Sequence, residues 1–266
     1  MFRNKDILSA ISQQQMRPLK RLAIPALLIL LWQSLTSLGV IPAAVLASPL
    51  RSLEAGWALA SSGALGDALW LSLRRSFSGL ALGAAAGLAA GVVAGYWSWG
   101  ENLIDANMQM LRAVPFVALA PVFIAWFGIG EGVKVAIIAF ATLFPVYVGT
   151  YEGIRGLDRG LLEVARVTGM RTWDTVREII VPGALASILQ GFRYALTLSV
   201  IALVIAEQIN VTGGLGALAF DARKFMQTDV LALCLLLYAL LGVAANALAR
   251  TLERRLLAWR REVHAV

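Results

Sequence analysis

The sequence predicts an all-α membrane protein with about six transmembrane helices and a cytoplasmic two-helix segment. Three observations lead there. The 266 residues are 59% hydrophobic and only 15% charged, with a mean hydropathy of +0.75, which is more apolar surface than one soluble core can hide. The apolar residues gather in runs of roughly 20, the length that crosses about 30 Å of hydrocarbon as a helix. The basic residues bracket those runs unevenly, the pattern that records membrane orientation.

Leu22 to Ile41 is the first run, preceded by Arg17, Lys20 and Arg21. It is longer than the apolar stretch of a signal peptide and reads as a retained anchor. Phe77 to Trp97 is the second, Ile104 to Phe127 the third, Val133 to Thr150 the fourth, Ile188 to Ala206 the fifth and Val230 to Leu248 the sixth. Arg3 and Lys5 also precede the first run; Arg155, Arg159, Arg166, Arg171 and Arg177 separate the fourth from the fifth; Arg250, Arg254, Arg255, Arg260 and Arg261 follow the sixth. With both termini in the cytoplasm, all of these lie on the inner side of the cell membrane. Arg74 and Arg75 fall on the outer side, where an amphipathic segment from Leu65 to Leu73 along the interface would expose the pair to headgroups. The chain then divides into 1–64 (cytoplasmic tail, first span and outer loop), a core over 65–259 and a C-terminal tail over 260–266.

Three spans carry internal features. The second has Gly79, Gly83, Gly87, Gly91 and Gly95 at every fourth position, one helix face on which another backbone can approach closely. Pro115 and Pro121 in the third span and Pro145 in the fourth each remove a helix hydrogen bond. Membranes tolerate that where neighbouring helices or a water-filled path supply partners, so these prolines either bend helices or line a pathway.

The hydrophilic excursion over 153–185 has a helical grammar of its own. Leu161, Val164, Ala165 and Thr168 recur at helical spacing and give one mostly apolar face. Gly169 ends this first helix, being the residue most easily placed in a left-handed cap. Thr172 caps a second helix, Asp174 sits in its first turn, Trp173, Val176 and Ile180 form its apolar face and Pro182 stops it. Glu163 offers a polar contact, either to a partner or as a cap within the segment. A face this small outside the bilayer implies something to dock against.

The run Glu163-Val164-Ala165, then Gly169, Ile179 and Val181-Pro182, resembles at matching spacing the cytoplasmic signature of ABC importer permeases, with Val164 and Val181 departing from the usual Ala and Leu. Leu111-Arg112-Ala113-Val114-Pro115, Ala118-Leu119-Ala120-Pro121, Trp126-Phe127-Gly128-Ile129-Gly130, Ala206-Glu207, Gly213-Gly214-Leu215-Gly216 and Leu252-Glu253-Arg254 are similar to the nitrate, sulfonate and taurine permease group. The resemblance covers about Leu65 to Trp259. It implies a type I importer fold, a second permease copy in a homodimer, a cytoplasmic ABC ATPase dimer and a periplasmic or lipid-anchored solute-binding protein. It also implies that Glu163, Ala165, Gly169, Thr172, Trp173, Ile179 and Pro182 form the ATPase-coupling surface.

Several other functions fit poorly. Lys5, Lys20, Lys134 and Lys224 are the four lysines and none follows a glycine, so there is no Walker A loop; ATP, and any cofactor, belongs to the partner subunit. One cysteine, Cys234, and one histidine, His264, give no thiolate or imidazole metal site. The net charge of +7 brackets lipid-spanning runs and does not cover one face, which argues against nucleic acid. An intramembrane enzyme would want paired aspartates, but Asp105 and Asp229 fall on opposite sides in this topology. An energy-independent channel or secondary transporter has no use for a docking segment. Arg112 and Arg193 lie inside apolar runs, where a central charge costs roughly 2.5–3.5 kcal/mol; each either snorkels from the cytoplasmic third of its helix, the expected reading, or pairs with an anionic solute. Glu207 shapes an outer gate or a binding-protein contact, or is an exposed helix-end carboxylate. Arg112, Pro115, Pro121 and Glu207 are thus the candidate pathway residues.

Overall fold

The computed structural model describes residues 23–209 and 211–259. These are helical wherever they are regular, and they fall into two compact units, one of residues up to 65 together with 221–235, the other of 66–220 together with 236 onward. In the first unit, α1 (Ala23–Ser37) carries the described part of the first span. Ile24, Leu27, Leu28 and Leu30 point outward, as expected of a helix whose solvent is lipid. A second helix that the apolar runs did not foretell, α2 (Pro49–Ser61), starts where Ser48 accepts from Arg51 N at 3.3 Å and Pro49 opens the first turn.

Most of the second unit is a bundle. Its spans are α3 (Ala64–Tyr96), α6 (Glu131–Arg155), α8 (Thr172–Ile209) and, from Leu236 on, α10 (Thr228–Leu256), each helix long and apolar enough to cross a membrane. A further pair, α4 (Ser98–Arg112) and α5 (Phe116–Phe127), turns through 93° at Arg112–Pro115. The third span is therefore broken, at one of the two prolines for which the sequence allowed a bend. Pro115, extended at φ −60° and ψ 120°, makes the break, because its ring bars a helical approach. Pro121 costs nothing, since it sits in the first turn of the Ala120–Phe127 helix where the N–H would be unpaired anyway. The short helix α7 (Arg159–Val167) also lies in this unit, as does α9 (Leu215–Lys224) up to Phe220.

Helix α3 also corrects the outer-interface reading. Leu65 to Leu73 continues the membrane helix without a bend, and although Arg74 is exposed, Arg75 is 1% exposed. The glycine stripe explains how α3 packs. A side-chain carbon at Gly79 would lie 2.5 Å from Ile138 Cβ, at Gly91 2.6 Å from Thr150 Cβ and at Gly95 2.9 Å from Ile154 Cβ, while at Gly83 and Gly87 it would strike the carbonyls of Ala139 and Leu143. Five glycines at four-residue spacing thus form a groove that takes a four-residue ridge of α6, as tight packing requires. The core beside this seam holds Phe123, Ile137, Ile138, Ala202, Leu203 and Ala206.

Candidate translocation pathway and coupling segment

At the end of the bundle where α3 and α6 begin and α8 finishes, four charges gather: Arg75, Lys134 and Glu207 are buried and the Glu131 side chain is 42% exposed. Arg75 uses all five of its N–H groups: Nε and Nη2 reach Glu131 at 2.7 and 2.6 Å, Nη1 reaches Glu207 Oε1 at 2.7 Å, and the carbonyls of Gly213 and Thr212 accept at 3.0 and 2.6 Å. Lys134 Nζ donates to Thr212 Oγ1 at 2.7 Å and lies 3.3 Å from Glu131. Glu207 accepts from Ser72 at 2.6 Å, Gly216 N at 2.9 Å and Tyr238 at 2.8 Å. Two cations and two carboxylates balance, and the polar atoms are satisfied, which is the condition for holding charge inside a membrane protein. Glu207 is 1% exposed, so it is no exposed helix-end carboxylate. Gly214 is forced here by its φ of +84° and by crowding, since an added side-chain carbon would lie 2.5 Å from Arg75 Nη1 and 3.0 Å from Ser72 Oγ.

Toward the other end, α4 is clamped to α6. Glu101 accepts from Tyr151 at 3.0 Å and pairs with Arg155, and Asp105 accepts from Tyr147 at 2.8 Å. Beyond this clamp, a cavity of about 430 Å³ opens between α4, α6 and α8, lined among others by Arg112, Phe140, Pro145, Gly149, Gln190 and Tyr194. Gly149 and Gly191 let α6 and α8 touch at its floor, where a side-chain carbon on Gly149 would lie 3.0 Å from Gly191 Cα. Arg112 therefore lies at the elbow of the broken span, on the cavity wall. Arg193 instead lies 3.6 Å from Glu253 and is half exposed, a paired residue at the bundle surface. Of the pathway candidates, the structure gathers Arg112 with Pro115's break and sets Glu207 apart among the buried charges; Pro121 lines neither.

The hydrophilic excursion forms α7 and the first turns of α8. Asp158 accepts from Gly160 N at 2.8 Å and caps α7. Glu163 makes no such cap; it is exposed and has no side-chain partner among the described residues. Gly169 ends α7 at φ +70°, with Gly169 N bonded to Arg166 O at 3.1 Å and Met170 N to Ala165 O at 3.0 Å, the two bonds of a left-handed helix stop. The second helix differs from its expected form at both ends. Thr172 opens it, but Arg171 occupies the cap position without a side-chain bond. Pro182 does not stop it: a π-turn over Val176–Ile180 precedes the proline and the helix runs on to Ile209. Widening the turn spares the proline's ring a clash with the carbonyl one turn back. The apolar face of α7 is likewise split. Ala165 is buried against its own bundle, while Leu161, Val164 and Val167 are exposed. Ala165, Met170 and Thr172 line a cleft of about 490 Å³ beside Tyr96 and Arg155; Ile179 is half-buried and Trp173 exposed.

Sequence reasoning missed Arg75, Glu131 and Lys134 as one group with Glu207, and missed Gln190 and Tyr194 on the cavity wall. A signal existed for the first set: Arg75, Glu131, Lys134 and Glu207 all sit near span ends on the same predicted side.

The family model for the binding-protein-dependent transport system inner membrane component matches residues 79–258. The chain is 45% identical over 241 residues to the aliphatic sulfonates transport permease protein SsuC of Escherichia coli, covering 91% of this chain and 92% of that one. It is 40% identical over 242 residues to SsuC of Bacillus subtilis, with 91% and 88% covered, and 32% identical over 243 residues to the taurine transport system permease protein TauC of Escherichia coli, with 90% and 88% covered. In fold it is similar to a chain of the MetNI methionine ABC transporter in inward-facing conformations, at a TM-score of 0.55, 20% identity and 68% and 93% coverage. A chain of an amino acid ABC transporter matches at a TM-score of 0.60, 18% identity and 74% and 96% coverage.

Proposed function

The chain belongs to the family of binding-protein-dependent transport system inner membrane components, and from that footing we propose that it forms the translocation pathway of an ATP-driven importer for small sulfonates or taurine-like anions. The names of its relatives support the choice of solute. Coupling to a separate ATPase dimer runs through Glu163–Pro182, an external solute-binding protein delivers the solute, a second copy completes the pathway, and both termini lie in the cytoplasm.

One observation carries the coupling. Leu161, Val164, Val167 and Trp173 are 51%, 59%, 89% and 71% exposed on a stretch interleaved with Arg166, Arg171 and Arg177. Apolar side chains displayed among charges on α7 and the first turn of α8 fit a protein cleft better than lipid. The backbone supplies the lever: from Thr172 to Ile209 α8 runs without a break for 38 residues, so a push at Trp173 reaches Gln190 and Tyr194 on the cavity wall. Reversing a transporter from 1:99 to 99:1 takes about 5.5 kcal/mol of differential binding, work that a flexible loop would dissipate.

The test is Gly169→Val in complexes reconstituted with the ATPase and the binding protein. A side chain at φ +70° strains the turn by about 1–2 kcal/mol and misorients α7 against α8. Uptake should be lost while basal ATP hydrolysis continues. Unchanged uptake, or transport by the chain with no ATPase present, refutes the proposal.

A further inference from the structure

We infer that the cavity at the broken span is a binding site for the transported solute inside the permease, built for an amphipathic anion whose charged head rests on Arg112 and whose hydrocarbon tail lies on Phe140 and Phe144. This deepens the transport reading above and rests on it.

Depth is the first argument. Helices α4 and α6 run antiparallel, and the bonds Glu101–Tyr151 and Asp105–Tyr147 fix their register, since four residues forward on one are four back on the other. Continuing the register sets Arg112 opposite Phe140. Phe140 is about 22 Å from the Arg155 end of α6 and about 14 Å from its Glu131 end at 1.5 Å per residue. By this register Arg112 lies deep in the membrane and not in the cytoplasmic third from which it would snorkel.

Partnering is the second. Arg75, Lys134, Arg155 and Arg193 each pair with a glutamate. Arg112 has no side-chain partner among the described residues. A charge held at such depth without an internal counter-ion marks a solute path, and here it faces a cavity of about 430 Å³.

The lining is the third. Gln190 and Tyr194, one turn apart on α8, bring an amide and a phenol to the cavity, and Phe140 and Phe144 form an aromatic wall. A guanidinium with neutral donors suits the oxygens of a sulfonate, and the phenylalanines suit an alkyl chain. Glu152 also lines the cavity, but by the same register it lies about 18 Å along α6 from Arg112, so a head group at Arg112 is clear of it. A cationic ligand would settle at Glu152 instead.

Equilibrium binding of radiolabelled ethanesulfonate and hexanesulfonate to the full chain, in nanodiscs of zwitterionic lipid, tests the inference. Arg112→Gln should weaken both by about tenfold or more, the loss expected for one charge-assisted contact, while Arg112→Lys keeps most of the affinity. Phe144→Ala should weaken hexanesulfonate more than ethanesulfonate, a chain-length effect that a merely structural role would not produce. Equal binding by Arg112→Gln and wild type overturns the inference. So does tighter binding of hexyltrimethylammonium than of hexanesulfonate, and so does abolition of wild-type binding in phosphatidylglycerol nanodiscs, which would make this a lipid site. Sulfonate uptake by cells carrying the wild-type importer is measured alongside. Its absence counts against the transport reading, whereas normal uptake with unaltered binding by Arg112→Gln counts against this site alone.

Discussion

Replacing Glu207 by alanine should be among the most destabilising single changes in the chain. Its carboxylate accepts from Ser72, Arg75, Gly216 and Tyr238 at 2.6, 2.7, 2.9 and 2.8 Å, and it is 1% exposed, so water cannot replace it. Removing one partner of a buried ion pair costs about 3–5 kcal/mol. Arg75 still holds Glu131 through two bonds, which places the loss near the lower bound, about 3 kcal/mol. At about 2–4 °C per kcal/mol for a chain of this size, thermal unfolding of the purified protein should drop by roughly 6–12 °C. Glu207→Gln keeps the shape but turns an amide NH₂ toward donors, and should lose about 1–3 kcal/mol. Arg75→Met combined with Glu207→Leu should be more stable than the two single losses summed, because no lone charge is left buried. Unfolding of Glu207→Ala at the wild-type temperature, or strict additivity in the double variant, would refute the account of this cluster.

The other predictions are briefer. Gly83→Leu and Gly87→Leu should each cost more than Leu88→Ala, by about 1–3 kcal/mol of overpacking or more, because their side chains would meet the carbonyls of Ala139 and Leu143 while Leu88 is already 41% exposed; normal expression and melting of both glycine variants would show that α3 and α6 do not pack this way. A cysteine at position 172 in a Cys234→Ser background should resist an impermeant thiol reagent in sealed cells and react after permeabilisation; labelling from outside inverts the topology. Tyr147→Phe should lower the melting temperature by removing the 2.8 Å bond to Asp105, a loss of about 1.5–3 kcal/mol for a bond to a charged group, and an unchanged melting curve would mean that this clamp does not hold α4.

The spans, the glycine face and the Gly169 turn were legible because each is set by residues close together in the chain. A run such as Val230 to Leu248 enters lipid on its own hydropathy, and in lipid its backbone must bond internally, so helix follows from composition. Glycine at every fourth position marks a contact face whatever the partner, and a left-handed stop needs only the local sequence around Gly169. The failures were of two kinds. Pro115 and Pro121 were read alike, as bends or pathway residues, and Pro182 as a stop, although Pro115 breaks a helix, Pro121 starts one and Pro182 rides over a π-turn; a proline's effect depends on its offset from a helix start, which sequence determines only to within a residue or two.

The second kind concerns charge. Sequence placed Arg75 among headgroups, since a lone arginine beside an apolar run is costly to bury. Its counter-ions Glu131 and Glu207 lie 56 and 132 residues further on, and their arrival inverts the cost. Hydropathy and turn chemistry are sums over neighbours in the chain and can be read from it; the environment of a charge is a sum over neighbours in space, and those are assembled only when the helices pack.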